Sequence, residues 1–181
     1  MRHPRLAALA ALVVVSAASA APAQAQTMLT KDGFIAILGT QKAFILKYID
    51  AAPDSMLGFR PTPGVRTFAE QIEHASGSDA IITHFIVTGS FAGVPAMGDS
   101  TVYRRNKAAL RDFATKSIDH ATDMIRGLTE AQLNAEITLF GNKLTRSRGL
   151  MMLIDHFAWT LGQTVPYLRL NKVTPPAYSP F

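Results

Sequence analysis

Four long stretches carry apolar side chains every three or four positions, and that periodicity constrains the fold more than any other feature of the chain. The first runs from about Lys31 to Ala52, with Phe34, Ile35, Leu38, Phe44, Ile45 and Ile49 on one stripe. Pro53 and Asp54 end it. The second follows Thr67, with Phe68, Ile72, Ala75, Ile82 and Ile86 inward, and Thr67 with Glu70 forms a capping box. The third spans about Tyr103 to Arg126, on Leu110, Phe113, Ala114, Ile118, Ala121, Met124 and Ile125, and Gly127 closes it. The fourth runs from about Ser147 to Leu170, on Leu150, Ile154, Phe157, Leu161 and Leu168, with Pro166 predicted to kink it. Thr129 and Gln132 open a short turn between the last two, and residues 136–140 and 143–145 read as a small hairpin around Gly141 and Asn142. Amphipathic helices of this length must bury their stripes against one another, so the expectation is an all-α four-helix bundle with that hairpin before the last helix.

The segment before the first helix has another pattern. Arg2, His3 and Arg5 precede an apolar run from Leu6 to Val15, and small residues lead to Ala23-Gln24-Ala25. This is the layout of a signal peptide, expected over residues 1–25, with a domain over 26–181 and export to a bacterial periplasm. The apolar run falls short of the roughly 20 residues that a membrane span needs, so no stable span is expected after cleavage. Removing residues 1–25 leaves 16 basic against 13 acidic residues, a net charge of +3. Lys107, Arg111 and Lys116 are scattered, and Lys143, Arg146 and Arg148 surround a turn. Neither group is a dense basic patch interleaved with aromatics, which argues against a nucleic-acid partner. With no cysteine, the chain has no disulfides, zinc–cysteine sites or thiol nucleophiles.

Four histidines follow the signal: His74, His84, His120 and His156. His156, Thr160, Gln163 and Tyr167 share one stripe of the last helix, beside its apolar stripe. Such a line of polar groups is either a pocket wall or a wet helix boundary whose groups bond their neighbours. His74 shares a flank of the second helix with Ser78, so two histidines from two helices can face the interior. Neutral imidazole binds Zn, Ni, Cu or Fe, although a catalytic zinc takes three protein ligands and a water. His84 falls away from the core stripe and is predicted to be solvated. His120 lies at the edge of the third stripe, as a rim residue or a replacement ligand, and Asp155 points to another face. The chain has no G-x-S-x-G elbow, no phosphate-binding glycine loop and no H-E-x-x-H.

Three blocks resemble the DinB-like superfamily, which includes YfiT-type metal-dependent hydrolases and low-molecular-weight-thiol transferases. They are the run from Phe59-Arg60-Pro61-Thr62-Pro63-Gly64 to His74, the run His156-Phe157-Ala158-Trp159-Thr160-Leu161-Gly162-Gln163, and Tyr167-Leu168-Arg169-Leu170-Asn171 with the prolines beyond it. The resemblance implies a four-helix bundle, often a homodimer, acting on a small molecule through a divalent metal such as Zn or Ni. One histidine of the second helix and two of the fourth would hold that metal. His74 and His156 match two of those positions, and the third falls on Thr160, whose neutral hydroxyl is the weaker ligand. Leu161 also stands where members of the family often carry a polar residue. Two readings follow: a metal-dependent hydrolase or thiol S-transferase with a degenerate site, or a metal-free small-molecule-binding or dimerisation module.

Overall fold

The computed structural model describes residues 29–178, so the expected signal segment lies outside the described residues. Each expected helix is present. α1 covers Lys31–Ala51 and is capped by the Thr30 hydroxyl. A single 3-10 turn, Asp54–Met56, leads into the proline-rich connection. α2 covers Phe68–Thr88 behind the Thr67–Glu70 capping box and ends on Gly89, whose φ of 77° is the left-handed cap that glycine adopts without strain.

The third and fourth stripes are each interrupted. α3, Ser100–Tyr103, is a single turn, and α4, Lys107–Arg126, starts afresh because the Asn106 side chain accepts from the Ala109 N–H and caps it. α5 is the short turn Glu130–Leu133, with its own capping box from Thr129 and Gln132. α6, Arg146–Gly162, and α7, Thr164–Leu170, meet at Gln163. The break puts Pro166 in the first turn of α7, where a missing N–H has no helical acceptor to lose.

Between α5 and α6, β1 (Glu136–Leu139) pairs antiparallel with β2 (Asn142–Thr145), with Leu139 opposite Asn142. The turn residues are Phe140 and Gly141, at φ 51° and 81°, rather than Gly141 and Asn142. Two consecutive positive φ values are what a tight two-residue hairpin needs. Arg146 fastens this unit by donating to the carbonyl oxygens of Ile86 and Gln132.

The long helices surround one core. Phe34, Ile45, Ile49, Phe68, Ile72, Ile86, Leu110, Ile118 and Ile125 are at most 2% exposed. α1 packs on α4, α4 on α2, and α2 on α6, while α1 and α6 touch only lightly. Around the bundle the order is therefore α1, α4, α2, α6, with an open seam between first and last. No described helix is long and apolar enough to cross a membrane.

One buried residue breaks the pattern. Asp79 on α2 is 1% exposed, and neither carboxyl oxygen has a hydrogen-bond partner among the described residues. Burial raises its pKa well above the carboxylate range.

Candidate functional site

The site begins with the loop ahead of α2. The Phe68 N–H donates to the Phe59 carbonyl and the Ala69 N–H to that of Leu57, at 2.9 and 3.0 Å, so the loop folds back on the helix start. Tyr167 of α7 donates its hydroxyl proton to the Arg66 carbonyl at 2.8 Å and ties the loop to the end of the bundle. These contacts fix the azimuth of α2 and turn His74 toward α6.

His74 and His156 meet there. Their Nε2 atoms are 3.3 Å apart and the rings stand edge to face. The Thr160 Oγ1 lies 3.4 Å from the same Nε2 of His156, one turn further along α6. Two donors about 2.0–2.1 Å from a tetrahedral zinc lie about 3.3–3.4 Å from each other, so the imidazole pair has the spacing of two such ligands. The third position is a neutral hydroxyl, and among the described residues no group of three His, Asp or Glu side chains is placed to hold an ion. The donor pair fits a divalent metal, and the third corner weakens it.

The surroundings keep both rings neutral. Burial lowers the pKa of His74 and of His156, and the positive charge of Arg66 lowers both further. His156 Nδ1 is buried without a partner, whereas a metal-bound imidazole ordinarily donates its second N–H to an acceptor. Behind the pair, Gln71 donates to the Thr160 carbonyl at 3.2 Å and to the Gln163 Oε1 at 2.9 Å. The stripe on the last helix is thus both of the things its spacing allowed: His156 and Thr160 face His74, while Gln163 and Tyr167 bond neighbouring elements.

His74 opens onto a cleft of about 660 Å³, bounded by the 59–66 loop, by α2 and by the segment 94–104. Ser78 lines it one turn beyond His74, and Arg60, Arg66 and Arg104 give it basic walls. Glu73 organises one side. It accepts from the Tyr103 hydroxyl at 2.7 Å and from the Arg104 Nε and Nη2 at 2.6 and 2.9 Å. Burial and this bond push the Tyr103 pKa up, so the phenol stays protonated as a donor. Arg60 and Arg104 both approach Glu70, at 3.5 and 3.6 Å. Arg66 pairs with no carboxylate among the described residues, which leaves its charge available at the mouth of the cleft.

Of the other two histidines, His84 departs from its expectation and His120 takes the rim position, half-buried. His84 is 8% exposed, not solvated, because the loop after α2 folds back over it. Its Nε2 lies 3.0 Å from the Ala92 carbonyl, which requires a proton on that nitrogen, and its Nδ1 then accepts from the His120 Nε2 at 3.2 Å. His120 is therefore committed to His84 and is not a replacement ligand for the first pair. Asp155 is exposed. The cleft residues that sequence reading passed over, Arg66, Glu73, Tyr103 and Arg104, come from three elements with no common spacing. The capping box at Thr67 was the one local signal, since it sets the phase of the helix that carries Glu73 and His74.

A family model described as the DinB superfamily matches residues 39–163, and the chain belongs to that superfamily. A DinB-like protein from Bacillus cereus ATCC 10987 is 22% identical, with a TM-score of 0.66 over 83% of this chain and 98% of its own. A DinB-like protein from Bacillus subtilis is 17% identical, with a TM-score of 0.67 over 80% of this chain and 96% of its own. At these identities the likeness is one of fold. Among curated proteins no match is found.

Proposed function

We propose that this DinB-superfamily chain is a metal-dependent hydrolase or thiol transferase built on a two-histidine centre, exported as a homodimer and acting on a small anionic molecule. The observation that carries the reading is the 3.3 Å separation of the His74 and His156 Nε2 atoms beside a basic cleft. A divalent ion such as Zn or Ni, held by these two nitrogens, would supply Lewis acidity and lower the pKa of a bound water or thiol. The chain's own groups do the rest. Neutral imidazoles present lone pairs at the pH where the protein works, because burial and Arg66 hold their pKa values down. The Arg66 guanidinium attracts and orients an anionic substrate, in the manner of an unpaired arginine facing a carboxylate or phosphate. Tyr103 and Arg104, locked by Glu73, form a fixed wall against which that substrate rests. Thr160 offers only a neutral hydroxyl at the third position, so the two imidazoles would hold such an ion weakly.

The test is elemental analysis of untagged protein with zinc and nickel titrations of the wild type, His74→Ala, His156→Ala and Thr160→His. The reading expects little metal in the protein as purified, one ion per chain at saturation in the titration, its loss in either alanine variant, and at least about tenfold tighter binding in Thr160→His, or roughly 1.4 kcal/mol. A folded protein that takes no metal in either the wild type or Thr160→His would overturn it. That outcome favours a metal-free small-molecule-binding or dimerisation module.

A further inference from the structure

The cleft beside His74 changes character along its length. Its charged side chains, Arg60, Arg66, Glu70, Glu73 and Arg104, belong to the end nearest the start of α2. Ion pairs from Arg60 to Glu70, and from Arg104 to Glu70 and Glu73, hold four of them together there. Three arginines against two glutamates leave one positive charge. Arg66, which pairs with no carboxylate among the described residues, carries it.

Beyond His74 no charged side chain lines the cleft among the described residues of α2. There the helix presents Gly77, Ser78, Ala80 and Ile81, the last about 10 Å along the axis from His74. Ile81 is 46% exposed, a large apolar side chain turned to the cleft. Val94, Pro95 and Met97 form the facing wall. Phe113 is buried behind them, and its Cζ lies 3.4 Å from where a Cβ on Gly77 would stand, so the glycine lets the ring press against the helix. The same ring stacks on Tyr103, with centres 4.2 Å apart, and joins the apolar half of the cleft to the charged half.

We propose that the substrate of this cleft is an amphiphilic monoanion, with its charged group on Arg66, its reacting atom beside His74, and an uncharged apolar arm along Gly77–Ile81 against Val94 and Met97. The proposal rests on the reading of the cleft as the substrate site and adds the chemistry of the part that Arg66 does not touch. One unmatched arginine offsets the desolvation of one negative charge and not of two. An apolar arm gains by covering Ile81 and Met97. A second charged group there would lose its hydration with only the Ser78 hydroxyl to replace it. Because the two ends of the cleft differ, such a molecule binds in one direction, which fixes the atom that meets the imidazoles.

Amide chemical-shift titrations of the full chain with acetate, butyrate and hexanoate test this, and they need no metal. Saturable shifts are expected over residues 66–81 and 94–104. Affinity should rise about twofold for each added methylene, against about fourfold for full burial, because one side of the chain stays in solvent. Arg66→Gln should weaken all three by about fivefold, the upper range for an exposed ion pair, and keep that increment. Ile81→Ser and Met97→Ser should flatten the increment and leave acetate unchanged. 1-Hexanol, which has the arm without the charge, should bind about fivefold more weakly than hexanoate. Equal affinity for acetate and hexanoate, or an increment that survives both serine variants, overturns the apolar arm and leaves the anion site standing. Hexanol that binds as tightly as hexanoate overturns the charged end. No saturable shift with any carboxylate removes the proposal together with the anion site. Loss of metal binding with these shifts intact would take away the metal centre and keep the cleft as described.

Discussion

The Nε2 atoms of His74 and His156 lie 3.3 Å apart although the residues are 82 positions apart in the chain. Both rings are partly buried and both have pKa values lowered by that burial, with Arg66 adding to it. In the unfolded chain each histidine returns to a pKa of about 6.5. Below that pH the unfolded state binds more protons than the native one, so stability falls as pH drops through 6.5 toward the lower native values. Urea unfolding in the presence of a chelator should show a declining midpoint between about pH 7 and pH 5. His156→Leu should flatten that decline, and an unchanged slope would show that the pair is not its source.

Asp79 gives the opposite sign. Its native pKa is raised by burial, so between the unfolded value near 3.9 and the native value the folded state holds the extra proton. Stability therefore falls as pH rises through that window. Asp79→Leu removes a buried group with no partners, and it should stabilise the protein by about 1–3 kcal/mol near neutral pH and abolish the dependence. Denaturant midpoints at pH 5 and pH 8 measure both effects, and a destabilised Leu variant would mean that the carboxyl has a partner in solution.

Glu73 anchors the wall of the cleft through Tyr103 and Arg104. Glu73→Ala should cost about 1–3 kcal/mol, because it leaves a buried phenol and a half-buried guanidinium unmatched. Amide exchange should rise selectively over residues 99–106, the short segment that these bonds hold. Glu73→Gln keeps the size and part of the bonding and should show a smaller rise.

Two glycines of α6 should respond in opposite directions to the same substitution. A Cβ on Gly149 would lie 3.1 Å from the Ile86 Cδ1 and 3.3 Å from the Leu139 Cδ2, so Gly149→Ala should destabilise by about 1–3 kcal/mol through overpacking. Gly162 faces open space, and Gly162→Ala should gain up to about 1 kcal/mol of helix propensity. Thermal unfolding of the two variants side by side checks the contrast.

The amino-acid order determined the helices directly, because spacing and caps are local. The stripes of Phe34, Leu38, Ile45 and Ile49 on α1, and of Leu110, Phe113, Ile118 and Ile125 on α4, state which face is buried. Thr67 with Glu70 and Thr129 with Gln132 mark where helices begin. Helical phase likewise offered His74 and His156 as two histidines able to face the interior, and the resemblance to the DinB-like superfamily added Thr160 as the third position. It did not reveal that Asn106 and Gln163 would divide the third and fourth stripes, because a cap inside a periodic run competes with continuation, and packing decides between them. Nor did it disclose the partners of His84, the burial of Asp79 or the Glu73–Tyr103–Arg104 wall. Each depends on which helix lies beside which and on where a loop folds back. Hydrogen bonds between elements have no period, so only the assembled bundle settles them.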